Sequence, residues 1–118
     1  DPDSAIGEGT VVMAGVIIQC GTHIGTHCII NTRASLDHDN QIADFATIAP
    51  GVVTGGNVSL RKGSVISIGA TVKHQIHIDS NTVVGAGGLV LEDIAANMLV
   101  YGVPAKPIRS RVIGEPYL

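Results

Sequence analysis

The 118-residue chain has no tryptophan, one phenylalanine and two tyrosines. Aromatics make up 3% of a sequence that is 45% hydrophobic, so any core must be built from Ile, Val, Leu and Ala. Such residues suit a narrow interior better than a thick one. Charge is also scarce, at 14% of residues, and the seven lysines and arginines are scattered under a net charge of −3. Nothing in that distribution suggests a nucleic-acid partner. No apolar run approaches the roughly 18 residues of a membrane span, and no signal peptide is visible. Cys20 and Cys28 are the only cysteines, without CxxC spacing. Free thiols in a reducing, cytoplasmic compartment are therefore expected. Against this economy the stretch SLDHDNQIADF, from Ser35 to Phe45, sets Asp37, His38 and Asp39 side by side.

The length fits a single domain over 1–118, and a repeat of six residues dominates it. Stepping by six from Ile6 to Val90 meets fifteen positions, and fourteen of them are Ile, Leu or Val. Random placement at 45% hydrophobic content would give about seven. Thr54 alone departs. Four places after each of these positions a second column of small or aliphatic residues recurs, including Cys28, Ala34, Ala46, Val52 and Ala70. Asn40 breaks that column directly beside the acidic cluster.

An amphipathic helix needs apolar spacings of three and four, and an ordinary strand needs alternation, so neither produces a sustained six. Hexads signify a parallel β-helix in which each hexad gives one short strand and one turn. Three hexads close a triangular coil, and fifteen make about five coils over residues 5–95, with a C-terminal tail over 96–118. Residues 18 apart then stack about 4.8 Å apart in aliphatic columns, each coil burying the next. Gly7, Gly25, Asn31, Gly69, Asn81 and Gly85 are expected in turns that require positive φ.

The recurring hexad has an aliphatic residue, then Gly, Ala, Glu or Asp, two free positions, and Ser, Thr, Ala or Val. Written as IGEGTV and IGTHCI, it resembles the hexapeptide-repeat acyltransferases. The resemblance covers Ala5 to about Arg109 and implies an all-β, left-handed parallel β-helix, an exception to the usual right-handed crossover. Within that superfamily, ASLDHDNQIADFATIAPGVVTGGNV and YGVPAKPIR are similar to the sialic-acid O-acetyltransferase and UDP-4-amino-sugar N-acetyltransferase group. Those enzymes carry an N-terminal sugar-binding domain, and DPDSAIGEGT resembles the junction where their helix begins. The chain is thus expected to be an acyltransferase domain without that acceptor-binding part.

The resemblance implies acetyl-CoA as co-substrate, a nucleotide-sugar acceptor, and a homotrimer with active sites between subunits. It puts His38 in the place of the general base and Asp39 in that of the residue that raises its basicity, with Asp37 left as a turn residue. Histidine suits the task because its ordinary pKa, about 6.5, lies near working pH. Carried over position by position, Thr47 stands at the thioester end of the donor site. Gly56 offers a backbone N–H to the acetyl carbonyl. Ile68 and Ala86 match pantetheine contacts, and Lys106 and Arg109 match positions near the CoA phosphates. Gly87 and Gly88 are read as coil-turn residues. The same motifs leave the choice between N- and O-acetylation, and the identity of the sugar, open.

Two other readings compete. His74 lies 36 residues after His38, two coils along the same face, and stacked histidines on such a helix resemble the γ-class carbonic anhydrases. Two coils are about 9.6 Å, whereas Zn–N bonds are about 2.0–2.1 Å, so one zinc cannot bridge the pair within a chain. The third ligand position of that class falls on Asp79, and no metal is expected. His23, His27 and His77 are read as exposed turn residues. A catalytically silent structural solenoid would explain the hexads but not the LDHDN cluster.

Overall fold

The computed structural model describes residues 4–116, so the first three residues of the DPDSAIGEGT junction lie outside it. Fifteen two-residue strands follow at intervals of six, from β1 (Ala5–Ile6) through β6 (Ser35–Leu36), β7 (Gln41–Ile42) and β8 (Thr47–Ile48) to β15 (Leu89–Val90). β1 and every third strand after it form one five-stranded sheet, and β3 begins a second sheet of five. The series that starts at β2 (Val11–Val12) forms the remaining face. Neighbouring strands are parallel with partners 18 residues apart, as in Ile24 beside Ile42 beside Leu60. This is the expected parallel β-helix of five turns.

The tail also folds. β16 (Met98–Gly102) runs parallel to β14 (Val83–Val84), and β17 (Ala105–Ser110) turns back antiparallel to β16. The β2 face thereby grows to seven strands. Among the described residues there is no helix.

Alternation along a two-residue strand turns one side chain out and the next in. The inward column, with Ile30, Leu36, Ile48, Leu60, Ile66 and Ile78, is fully buried, and so are Cys28, Ala34, Ala46 and Ala70 of the second column. Large and small side chains therefore alternate around each coil and fill a thin interior without aromatics. At the first coil Ile6 and Val12 occupy the same column but stay 50% and 39% exposed, because no described coil lies beyond them. The Cys28 thiol donates to the Ala43 carbonyl at 3.1 Å, and burial pushes its pKa up.

The turns correct one expectation. Positive φ recurs every six residues from Gly9 to Gly87 without interruption, at the third residue of each turn. Gly69 and Asn81 fall in that series, but Gly7, Gly25, Asn31 and Gly85 do not. Gly7 and Gly25 are glycines for lack of room. A Cβ on Gly7 would lie 2.8 Å from the Thr26 nitrogen, and one on Gly25 would lie 2.8 Å from the Asp44 nitrogen. Seven of the positive-φ turn residues, among them His27, Arg33, Asp39 and Phe45, carry side chains. Repeated stacking holds each coil in a backbone geometry that L-residues rarely choose alone.

Ile48→Ala should lower unfolding free energy by about 2–5 kcal/mol, the usual result of emptying a fully buried aliphatic site. Val53→Ala, at a position on β9 (Val53–Thr54) that is 46% exposed, should stay within about 0.5 kcal/mol. Urea denaturation of both variants checks the inward and outward assignment.

Candidate active site

β6 ends at Leu36 on the β3 sheet and β7 begins at Gln41 on the β1 sheet, so residues 37–40 turn a corner of the prism. Asp37 Oδ1 accepts the His38 N–H at 2.7 Å, capping the first amide of the turn. Asp39 sits at φ 55°, a conformation that Asp tolerates better than most residues. From there its carboxylate reaches His38, with Nδ1 and Oδ2 3.0 Å apart. Gly21, one coil earlier, makes that placement possible, since a Cβ there would collide with the Asp39 carboxylate. Both partners remain about half exposed, at 50% and 57%, so the pair is open to substrate.

With Nδ1 turned to Asp39, the other side of the imidazole lies over Gly56 in the next coil. A Cβ on Gly56 would fall on Nε2 and 2.6 Å from Cε1. Gly56 has no unusual φ, so it is glycine because the ring occupies the space. Its partner Gly55 is fixed from the other side, where a Cβ would meet the His74 nitrogen at 2.7 Å. In three turns the first residue caps the N–H that follows it: Asn31 caps Thr32, Asp37 caps His38 and Asp79 caps Ser80, each at 2.7 Å. Gly55 has no side chain to do so. Among the described residues, the Gly56 N–H has no acceptor, and Gly56 itself is buried beneath the imidazole.

Thr47, Ile68 and Ala86 come together in a groove of about 520 Å³ on the β2 sheet, alongside Asn31, Pro50 and Tyr101. Gly85 opens that groove to Tyr101, whose Cδ2 would lie 2.9 Å from an added Cβ. Asn31 and Tyr101 were not anticipated as site residues. Tyr101 carried a signal, being one of only three aromatic residues, but it lies beyond the hexads. Ile68 and Ala86 belong to the corner between the β2 and β3 sheets, whereas His38, Asp39 and Gly56 occupy the corner between the β3 and β1 sheets. One chain does not bring the two clusters together.

The remaining candidates lie elsewhere. Lys106 is on β17, opposite Tyr101 in the hairpin, and lines a separate cavity of about 280 Å³ with Glu92 and Asp93. Arg109 pairs with Glu115 at 2.9 Å, and that bond holds the Glu115 carboxyl below its ordinary range. Of the histidines expected in turns, His27 is in one and stacks on Phe45 at 5.4 Å. His23 and His77 are on strands instead, the former 3.3 Å from the Gln41 amide. Asp79 is on another corner from His38 and His74. Among the described residues, no three His, Cys, Asp or Glu side chains converge to hold a metal ion.

No protein-family model matches the chain. Among curated proteins, it is 31% identical over 110 residues to the GDP-perosamine N-acetyltransferase of Escherichia coli O157:H7, covering 88% of this chain and 49% of that protein. Among solved structures, it superposes on the acetyltransferase domain of PglB from Neisseria gonorrhoeae FA1090 with a TM-score of 0.90 and 38% identity, over 91% of this chain and 52% of that one. A variant of perosamine N-acetyltransferase from Caulobacter crescentus, in complex with CoA and GDP-perosamine, gives a TM-score of 0.92 at 37% identity, over 93% and 52%. Other curated relatives are a UDP-N-acetylglucosamine O-acyltransferase of Stutzerimonas stutzeri, 31% identical over 86% of this chain and 42% of that protein, and a serine acetyltransferase of Buchnera aphidicola, 33% identical over 88% and 37%. The homologues and structural neighbours of the chain are thus acyltransferases, several of them acting on nucleotide sugars, and it spans about half or less of their length.

Gly56→Ala tests the contact between neighbouring coils. The added methyl must displace the imidazole, because the backbone beneath is locked into the coil. The Nδ1–Asp39 pair should break while the fold persists. NMR of the His38 ring, with circular dichroism as control, should show a moved imidazole in a native β-helix.

Proposed function

We propose that the chain carries the acyl-transfer half of an acetyl-CoA-dependent acetyltransferase, acting on an amino group of a nucleotide sugar with His38 as general base. The observation that carries this reading is the His38–Asp39 pair, 3.0 Å apart at Nδ1, with the far side of the ring over an uncapped glycine amide. An amine acceptor is supported by the perosamine N-acetyltransferases, of which the Caulobacter crescentus enzyme, 37% identical to this chain, was crystallised with CoA and GDP-perosamine. The O-acyltransferases among the relatives support a hydroxyl.

In this mechanism Asp39 accepts a hydrogen bond from Nδ1–H, which keeps Nε2 free to take a proton. The sugar amine attacks the thioester carbonyl as Nε2 removes its proton. Negative charge that gathers on the carbonyl oxygen meets the Gly56 N–H, a donor already in place. The tetrahedral intermediate collapses, the C–S bond breaks, and the CoA thiolate leaves with the proton returned by the imidazolium. Thr47, Ile68 and Ala86 would hold the pantetheine arm along their groove, and Lys106 remains a candidate for the CoA phosphates. The alternative zinc reading would need ligands from two copies, since His38 and His74 stand on a different corner of the chain from Asp79.

Because the base and the donor groove occupy different corners, the complete site is proposed to lie between copies. A cyclic homotrimer provides three equivalent sites of that kind.

His38→Ala should lose at least about a hundredfold in acetyl transfer to an amino-sugar nucleotide, the usual consequence of deleting a general base. Asp39→Asn should lose less, because the base remains, and Asp37→Asn should be near wild type, because an amide oxygen can still cap the turn. Full activity in folded His38→Ala would remove the mechanism.

Shared sites make a second test possible. His38→Ala and Ala86→Trp should each be inactive, one without a base and the other with a blocked groove. Subunits exchanged between them should recover about a quarter of wild-type activity, as random mixing in a cyclic trimer predicts. No recovery in demonstrably mixed oligomers, or a stable monomer in light scattering, would refute the shared site.

A further inference from the structure

Two residues break the hexad columns, and the structure brings them together. Asn40 occupies a column filled elsewhere by Ala34, Ala46 and Ala70, and Thr54 stands in the aliphatic column. Both are buried, at 0% and 2% exposure, where an unpaired polar group is costly. They satisfy each other, with Thr54 Oγ1 donating to Asn40 Oδ1 at 2.6 Å. Thr54 Oγ1 also accepts the Asp37 N–H at 3.3 Å. Asn40 Nδ2 donates to the carbonyls of His38 at 3.2 Å and Gly55 at 2.9 Å.

The Gly55 carbonyl and the Gly56 N–H belong to one peptide unit, which is planar and trans, so the two groups point in opposite directions. Holding the carbonyl inward aims the N–H outward. Other coils use the same rung. Thr10, Thr22 and Ser64 donate to the carbonyls of Gly25, Asp37 and Asp79 at 2.6–2.7 Å. In those three cases the outward N–H, of Thr26, His38 or Ser80, is taken by an aspartate at 2.7–2.8 Å. At Asn40, as at Cys28 and Thr82 with their bonds to the Ala43 and Ala95 carbonyls, the N–H that follows the held carbonyl is capped by no aspartate. What sets Asn40 apart is that its amide nitrogen also reaches the carbonyl of His38. Packing does not require a residue of this size, since alanine serves at the same place in three other hexads.

We infer that Asn40 and Thr54 form a positioning pair that aims the Gly56 N–H outward and ties its peptide to that of His38, so that the donor for the developing oxyanion and the base keep one geometry. The inference rests on the function proposed above. Asn40 touches neither donor nor acceptor and acts through the two peptides. The hydrogen bond it gives to the Gly55 carbonyl also polarises that peptide and strengthens its N–H as a donor.

The test uses paired variants, so that neither polar side chain is left in the core without the other. Asn40→Ala with Thr54→Val replaces both residues by the types found in their own columns. It should fold with a melting temperature close to wild type. Its kcat for acetyl transfer should fall about tenfold or more, because a small displacement of reacting groups is enough for such a loss. KM for acetyl-CoA should change little, since the proposed donor groove lies on another corner. Asn40→Thr with Thr54→Val restores a hydroxyl like that of Thr22 and should recover most of the kcat. As a readout independent of turnover, the Gly56 amide resonance should shift on adding acetyl-CoA in wild type and in the threonine variant, but not in the alanine variant. Wild-type kcat and an unchanged Gly56 response in the alanine variant would overturn the positioning role while leaving His38 as base. Activity retained in His38→Ala would overturn the base instead, and the Gly56 response would then decide the pair alone.

Discussion

Everything in this molecule depends on the register of 18 residues. Strand partners are separated by one complete coil, so each side chain has its structural equivalents directly above and below it rather than along the chain. Hydrogen bonds between coils fix the spacing, and aliphatic columns exclude water from the interior. A residue is therefore permitted or forbidden by what stands 18 places away. Ile48 stacks between Ile30 and Ile66, and that vertical identity lets a core without tryptophan close completely.

The same vertical logic builds the site. His38 has room for its ring because residue 56 is glycine, and Asp39 has room for its carboxylate because residue 21 is glycine. Tyr101 enters the groove because Gly85 lies beneath it. In each case a functional side chain occupies space that a neighbouring coil has given up. This differs from a site on flexible loops. The turn around His38 has its backbone held by Asp37, Asn40 and Thr22, while the imidazole and the carboxylate remain half exposed. Rigidity resides in the peptides and openness in the side chains.

The fold was legible because its signal repeats. Fourteen aliphatic positions in fifteen define the coils without reference to any single residue. The conformation of the turns was less legible: glycine has more than one use, and Gly7 and Gly25 proved to be glycines of close approach rather than of positive φ. The His38–Asp39 pair could be read because adjacent polar residues stand out in a charge-poor chain. Its dependence on Gly21 could not, because that contact exists only once the register is known. The hairpin was missed for a related reason. Residues 96–118 leave the hexad pattern, so periodicity had nothing to say about them, and Tyr101 was lost with them.

A parallel solenoid has an intrinsic hazard: its last coil offers the same unpaired amide and carbonyl groups that its first coil would accept, so the molecule is a template for its own extension into fibres. The hairpin answers that hazard on one face. β16 continues the β2 sheet as another parallel rung, but β17 reverses direction and carries Pro107, which has no N–H to donate. A second copy that approached this face in register would meet a strand of the wrong polarity with a missing donor. The segment that abandons the repeat thus marks where the repeat is prevented from propagating, and a fold with no inherent length is given an end.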